Sequence, residues 1–139
     1  MFNTSFKSSA VFISLVALTS FANAEALPKK SSDFKGNYEI AIKDNKADEA
    51  TALCSATAHD LTKNKKYQYD RFGFTRADYD AASLNRAKDA ATKGSTKQTI
   101  VKLNGEARKR SNTTSWDKVT VQCKIQKNKI ESITVTPAQ

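Results

Sequence analysis

The 139-residue chain predicts an α+β domain: a three- to four-stranded antiparallel sheet with two helices on one face and one helix-to-strand disulfide. Three observations predict it. Apolar residues recur at helical spacing over residues 50–61. The last third switches to alternation with a period of two. The only two cysteines, Cys54 and Cys123, fall one in each pattern. Hydrophobic residues make up 39% and charged residues 27%, enough for one modest core and too regularly spaced for a wholly disordered chain.

Residues 1–24 read as a secretory signal peptide. Lys7 gives a positive start, Ala10 to Leu18 form a short apolar core, and Ala22-Asn23-Ala24 has small residues at both specificity positions of a cleavage site. Ala24-Glu25-Ala26 repeats the small-x-small pattern, so a cut after Ala26 is the alternative. The apolar stretch is too short for a membrane anchor, and no later run is long enough to span. No cysteine lies near the cut, which excludes a lipid-anchored lipoprotein. The expected location is periplasmic or secreted. Residues 25–36 are polar and aperiodic and read as a flexible N-terminal arm, ahead of a single domain over residues 37–137.

Export governs how the cysteines are read. Two cysteines in an oxidising compartment admit one intramolecular pairing; the alternatives are a metal site, a redox pair or free thiols. A metal needs more ligands than His59 can add, and a spacing of 69 residues is far from C-x-x-C. A structural Cys54–Cys123 bond is expected, worth about 4 kcal/mol by loop closure.

The elements follow in order. Tyr38, Ile40 and Ile42 alternate with Glu39 and Ala41, a short strand. Ala50, Leu53, Cys54, Thr57, Ala58 and Leu61 form one stripe of a helix over residues 47–64, with Asp44 or Asn45 as its cap. Tyr67, Tyr69, Phe72 and Phe74 form a loop or short extended segment with its rings on the core. Thr75-Arg76-Ala77-Asp78 resembles a capping box opening a second helix. Its stripe is Ala77, Ala81, Leu84, Ala87 and Ala91, and Gly94 ends it.

Thr99, Val101 and Leu103 then alternate in a strand, and Asn104-Gly105 signals a turn. Glu106 to Ser115 reads as a long polar loop carrying Arg108, Lys109 and Arg110. Val119, Val121, Cys123 and Ile125 form the clearest strand, with Trp116 opening it and expected at least partly buried. Lys127-Asn128-Lys129 makes a tight turn. Ile130, Ile133 and Val135 form a last strand with a bulge near Ser132, ended by Pro137.

The helix-borne Cys54, the Phe-rich segment, and the Trp116-x-x-Val119-x-Val121-x-Cys123 strand with its following turn resemble small exported bacterial proteins carrying a BspC-type domain. The similarity spans about residues 45–135. It implies an exported, disulfide-bonded domain and brings no catalytic residues to transfer.

Catalytic motifs are missing from the sequence. There is no G-x-S-x-G, H-E-x-x-H, P-loop or dinucleotide fingerprint. His59 lacks an orienting acid, because Asp60 points elsewhere on a helix. No catalytic residue, metal or cofactor is expected. The charge is the remaining clue: removing residues 1–24 takes away only Lys7, leaving 22 basic against 14 acidic residues. The expected role is a non-catalytic interaction module for a protein or envelope component. The alternative is a polyanion binder, for lipopolysaccharide or nucleic acid, using Arg108, Lys109, Arg110, Lys127 and Lys129 together around the terminal hairpin. On that reading, replacing Arg108, Lys109 and Arg110 with serine leaves the melting temperature nearly unchanged.

Overall fold

A computed structural model of the chain describes residues 23–82 and 98–138. The apolar core of the signal segment, and the expected helix positions Leu84, Ala87, Ala91 and Gly94, lie outside the described residues. The fold is α+β. Its elements are α1 (Phe34–Lys43), α2 (Glu49–Leu61), β1 (Tyr69–Gly73), a helix entered over residues 76–82, β2 (Gln98–Lys109), β3 (Trp116–Gln126) and β4 (Lys129–Pro137). The four strands form one antiparallel sheet in sequence order, β1-β2-β3-β4.

Helix α1 corrects the strand expected at Tyr38–Ile42. Phe34, Tyr38, Ala41 and Ile42 are spaced i, i+4, i+7 and i+8, and this side turns toward α2 while Ile40 stays exposed. Glu39 pairs with Lys35 at 3.9 Å and Lys43 at 3.3 Å, both at i,i+4 spacing. Five alternating residues satisfied the strand pattern by coincidence. The described residues therefore hold three helices where two were expected.

Helix α2 starts later than expected because its cap is Asp48, not Asp44 or Asn45. The Asp48 carboxylate accepts the Thr51 backbone N–H at 3.0 Å and the Thr51 hydroxyl at 2.9 Å. The helix touches all four strands on one side and α1 on another, so its burial goes well beyond a stripe. Small side chains allow this close approach. The buried hydroxyls of Ser55 and Thr57 return to the carbonyls of Ala52 and Leu53, so no polar group is stranded. At its centre Cys54 is bonded to Cys123 of β3, with Cα atoms 5.8 Å apart and both residues fully buried.

The capping box at Thr75 forms in both directions. The Asp78 carboxylate accepts the Thr75 N–H at 2.7 Å, and the Thr75 hydroxyl accepts the Asp78 N–H at 3.3 Å. The buried face carries Tyr79 and Ala82, whereas the expected stripe residues Ala77 and Ala81 are exposed.

Strand β2 overturns the turn expected at Asn104-Gly105. It runs unbroken past both residues, pairing Asn104 with Thr120 and Gly105 with Val119. The glycine serves packing instead: a Cβ there would lie 2.4 Å from the Phe74 ring. The loop expected over Glu106–Ser115 shrinks accordingly, because Arg108 still pairs with Trp116.

The Lys127-Asn128 turn is tight, with φ of 51° and 60°, the positive values a two-residue hairpin of matching twist requires. The β4 bulge falls at Glu131: Lys124 faces Ser132 and Ile125 faces Ile130. Trp116 is 42% exposed. It is an even-numbered residue of β3, while the core face is Val119, Val121, Cys123 and Ile125. It therefore stands on the outer face under the Arg108 guanidinium, 5.9 Å from the ring centre. Trp116 therefore does not open the buried face, as the sequence reading had it, and Trp116→Ala is not expected to carry the loss of about 3–5 kcal/mol that truncating a fully buried tryptophan would.

Candidate functional site

The five expected anion-binding residues do not form one cluster. Arg108 lies opposite Trp116 at the start of β3, whereas Lys127 and Lys129 flank the turn at its far end. Eleven residues of strand separate them, about 33 Å at strand rise.

Arg108, Lys109 and Arg110 are also occupied by the fold. Arg108 makes a bidentate pair with Asp70, at 2.8 and 2.9 Å, which holds that carboxyl below the usual carboxylate range. Lys109 lies 3.5 Å from Asp117. Arg110 donates to the carbonyls of Tyr67 at 2.9 Å and Thr62 at 2.8 Å, with longer bonds to Asn64 and Tyr69. It ties the connection between α2 and β1 to the end of β2. Arg110→Ala is expected to lower stability by about 2 kcal/mol, because several partly buried carbonyls lose a charged donor together. Equilibrium urea unfolding measures it, and a midpoint equal to that of the parent protein would refute it. This reverses the expectation of an unchanged melting temperature on serine replacement.

The aromatic cluster is scaffold. Phe72 and Phe74 stack at 5.9 Å, and His59 meets Phe74 edge-on at 5.6 Å. Burial lowers the pKa of His59, so its imidazole is neutral at pH 7 and packs as a ring. The Tyr69 hydroxyl donates to Asp117 at 3.1 Å; burial, with that bond, pushes its pKa up to about 12. Burial likewise raises the pKa values of Tyr67, Tyr38 and Tyr79. For Tyr69, the stabilisation is complete below the unfolded value of about 10 and is lost as pH rises through 12. Ultraviolet titration of the native protein is expected to show little tyrosinate at pH values near 10. Full ionisation of all four tyrosines there would contradict the packing.

An open concavity lies elsewhere. A cleft of about 800 Å³ lies between α1, the first turn of α2 and the β3–β4 turn. Phe34 and Tyr38 come from α1, Ala50 and Leu53 from α2, and Ile125 from β3, giving apolar and aromatic walls. The rim carries charges of both signs: Lys30 and Lys127, and Asp48 and Glu49. Lys30 is held 4.7 Å over the Phe34 ring. Such a cleft can take an apolar side chain while both rims meet polar backbone or charge. Of the expected site residues only Lys127 lines it. The sequence reading missed the rest because α1 was taken for a strand; the spacing Phe34, Tyr38, Ile42 was the available signal. Among the described residues, no group of three His, Cys, Asp or Glu side chains is arranged to hold a metal.

No protein-family model matches the chain, and comparison with curated proteins and with solved structures finds no match. No helix among the described residues is long and apolar enough to cross a membrane.

Proposed function

We propose that the protein is a non-catalytic interaction module of the periplasm or secreted fraction that seats a protein or envelope component in the cleft between α1, α2 and the β3–β4 turn. The carrying observation is that this open, aromatic-walled, mixed-charge cleft stands on a scaffold whose helix is bonded to its sheet. The signal segment expected from the sequence points the same way. The test is capture from envelope extract at low and high salt, using the parent protein and Tyr38→Ala. Apolar contacts resist salt, so capture is expected to persist at high salt and to fall with Tyr38→Ala. Capture unaffected by the substitution would refute the cleft.

The polyanion reading keeps one favouring observation. Lys127 lies in the exposed β3–β4 turn and Lys129 directly follows it, and neither forms an ion pair with another described residue. Lipopolysaccharide or nucleic acid bound there would be released steeply by salt, and less steeply after Lys127→Ser with Lys129→Ser.

A further inference from the structure

The segment expected to be a flexible arm is attached to the body. The Glu25 backbone nitrogen donates to the Ile133 carbonyl at 2.8 Å, forming an antiparallel bridge on the edge strand β4. The Glu25 side chain lines a cavity of about 320 Å³ together with Tyr67 and Asp60. Further along the same segment, Ser31 is tied to Asp60, its N–H donating to that carboxylate at 3.0 Å and its hydroxyl donating to the same group. The Tyr67 hydroxyl is buried with no hydrogen-bond partner in strict geometry, and the Glu25 carboxyl is within electrostatic reach of it. Glu25 is also the first residue after the small-x-small sequence Ala22-Asn23-Ala24.

We propose that cleavage between Ala24 and Glu25 creates the terminus that this fold holds: the new α-ammonium of Glu25 docks on the Ile133 carbonyl, and the Glu25 side chain occupies the cavity beside Tyr67. Hydrolysis breaks the bond between the Ala24 carbonyl carbon and the Glu25 nitrogen. Water supplies the second oxygen of the Ala24 carboxylate, and the Glu25 nitrogen leaves as an amine that is protonated at pH 7. The bond to Ile133 then becomes charge-assisted and stronger. The alternative cut after Ala26 removes Glu25, leaving Tyr67 without its carboxylate and Ile133 without its donor.

The dock has a second consequence. Strand β4 is an edge of nine residues, and Ile133 is its midpoint. A residue planted there splits the open edge into two stretches too short to template another strand well. The processed terminus thus protects the sheet from edge-to-edge pairing.

This inference rests on the export reading, and one experiment separates the two. The full chain is exported from a bacterial host and its N-terminus is sequenced. Glu25 is expected as the first residue, with its α-amine acylated several-fold more slowly in the folded than in the denatured protein. A chain beginning at Leu27 is expected to melt about 5 °C lower than one beginning at Glu25. Leu27 as the first residue of the exported protein, an α-amine that reacts equally in both states, or equal melting temperatures would each overturn the dock alone. An exported chain that retains residues 1–24 would overturn the dock and the signal reading together.

Discussion

Replacing Cys54 and Cys123 together with alanine is expected to lower stability by about 4 kcal/mol, the largest single effect in this protein. The bond closes 69 residues of sequence, and a long loop leaves the unfolded chain much entropy to lose. The rest of the attachment of α2 to the sheet explains why little compensates. Apart from Leu61 near its end, its buried neighbours Thr51, Ala52, Ser55, Ala56, Thr57 and Ala58 are small, each removing little apolar area from water. The bond therefore makes up a large share of the cohesion between the two layers. A domain of this size has only about 5–15 kcal/mol in total. Equilibrium unfolding in urea, comparing the double variant with the oxidised parent, measures the loss. Non-reducing peptide mapping should show the single Cys54–Cys123 pair. A loss below about 1 kcal/mol would mean that side-chain packing alone holds α2 in place.

Gly105→Ala is expected to lower stability by about 3 kcal/mol, although a strand interior ordinarily favours alanine over glycine. The reason is space and not backbone conformation, since no described glycine has positive φ. The added Cβ would sit 2.4 and 2.6 Å from two Phe74 ring carbons and 2.8 Å from the Gly73 carbonyl oxygen. The ring is hemmed in on three sides although it is only partly buried. Phe72 stacks on it, and His59 and Tyr79 meet it edge-on at 5.6 and 6.0 Å. The Gly73 carbonyl belongs to β1, paired with β2 at Glu106, so it is equally fixed. Phe74→Ala should cost stability by itself, yet in the Gly105→Ala background it should cost much less, because it vacates the space the methyl needs. Additive losses in that double-mutant cycle would show that Phe74 is not what the glycine accommodates.

Local pattern was sufficient where the core imposes a period on the chain. Val119, Val121, Cys123 and Ile125 alternate over seven residues, and a cysteine in that row must share the buried face with its partner on α2. The two-layer architecture, the disulfide, the tight turn at Lys127-Asn128 and the capping box at Thr75 follow from such short-range chemistry. The outward position of Trp116 was available in the same pattern but was misread as the start of the buried face: an even-numbered residue cannot share a strand face with 119, 121, 123 and 125. Tertiary structure alone decided the places where two readings are locally equivalent. Asn104-Gly105 has the composition of a hairpin turn, and only the Phe74 ring pressing on that backbone makes the glycine part of a strand. Arg108, Lys109 and Arg110 look like a solvated loop until Asp70, Asp117 and the carbonyls of residues 62–69 arrive from far along the chain to satisfy them. Phe34–Lys43 alternates briefly like a strand, and it becomes a helix because α2 offers a surface to its Tyr38, Ala41 and Ile42 side. The cleft depends on that decision, since two of its walls are Phe34 and Tyr38. Periodicity specifies which side of an element is buried; what a polar or ambiguous segment faces depends on partners that no local window contains.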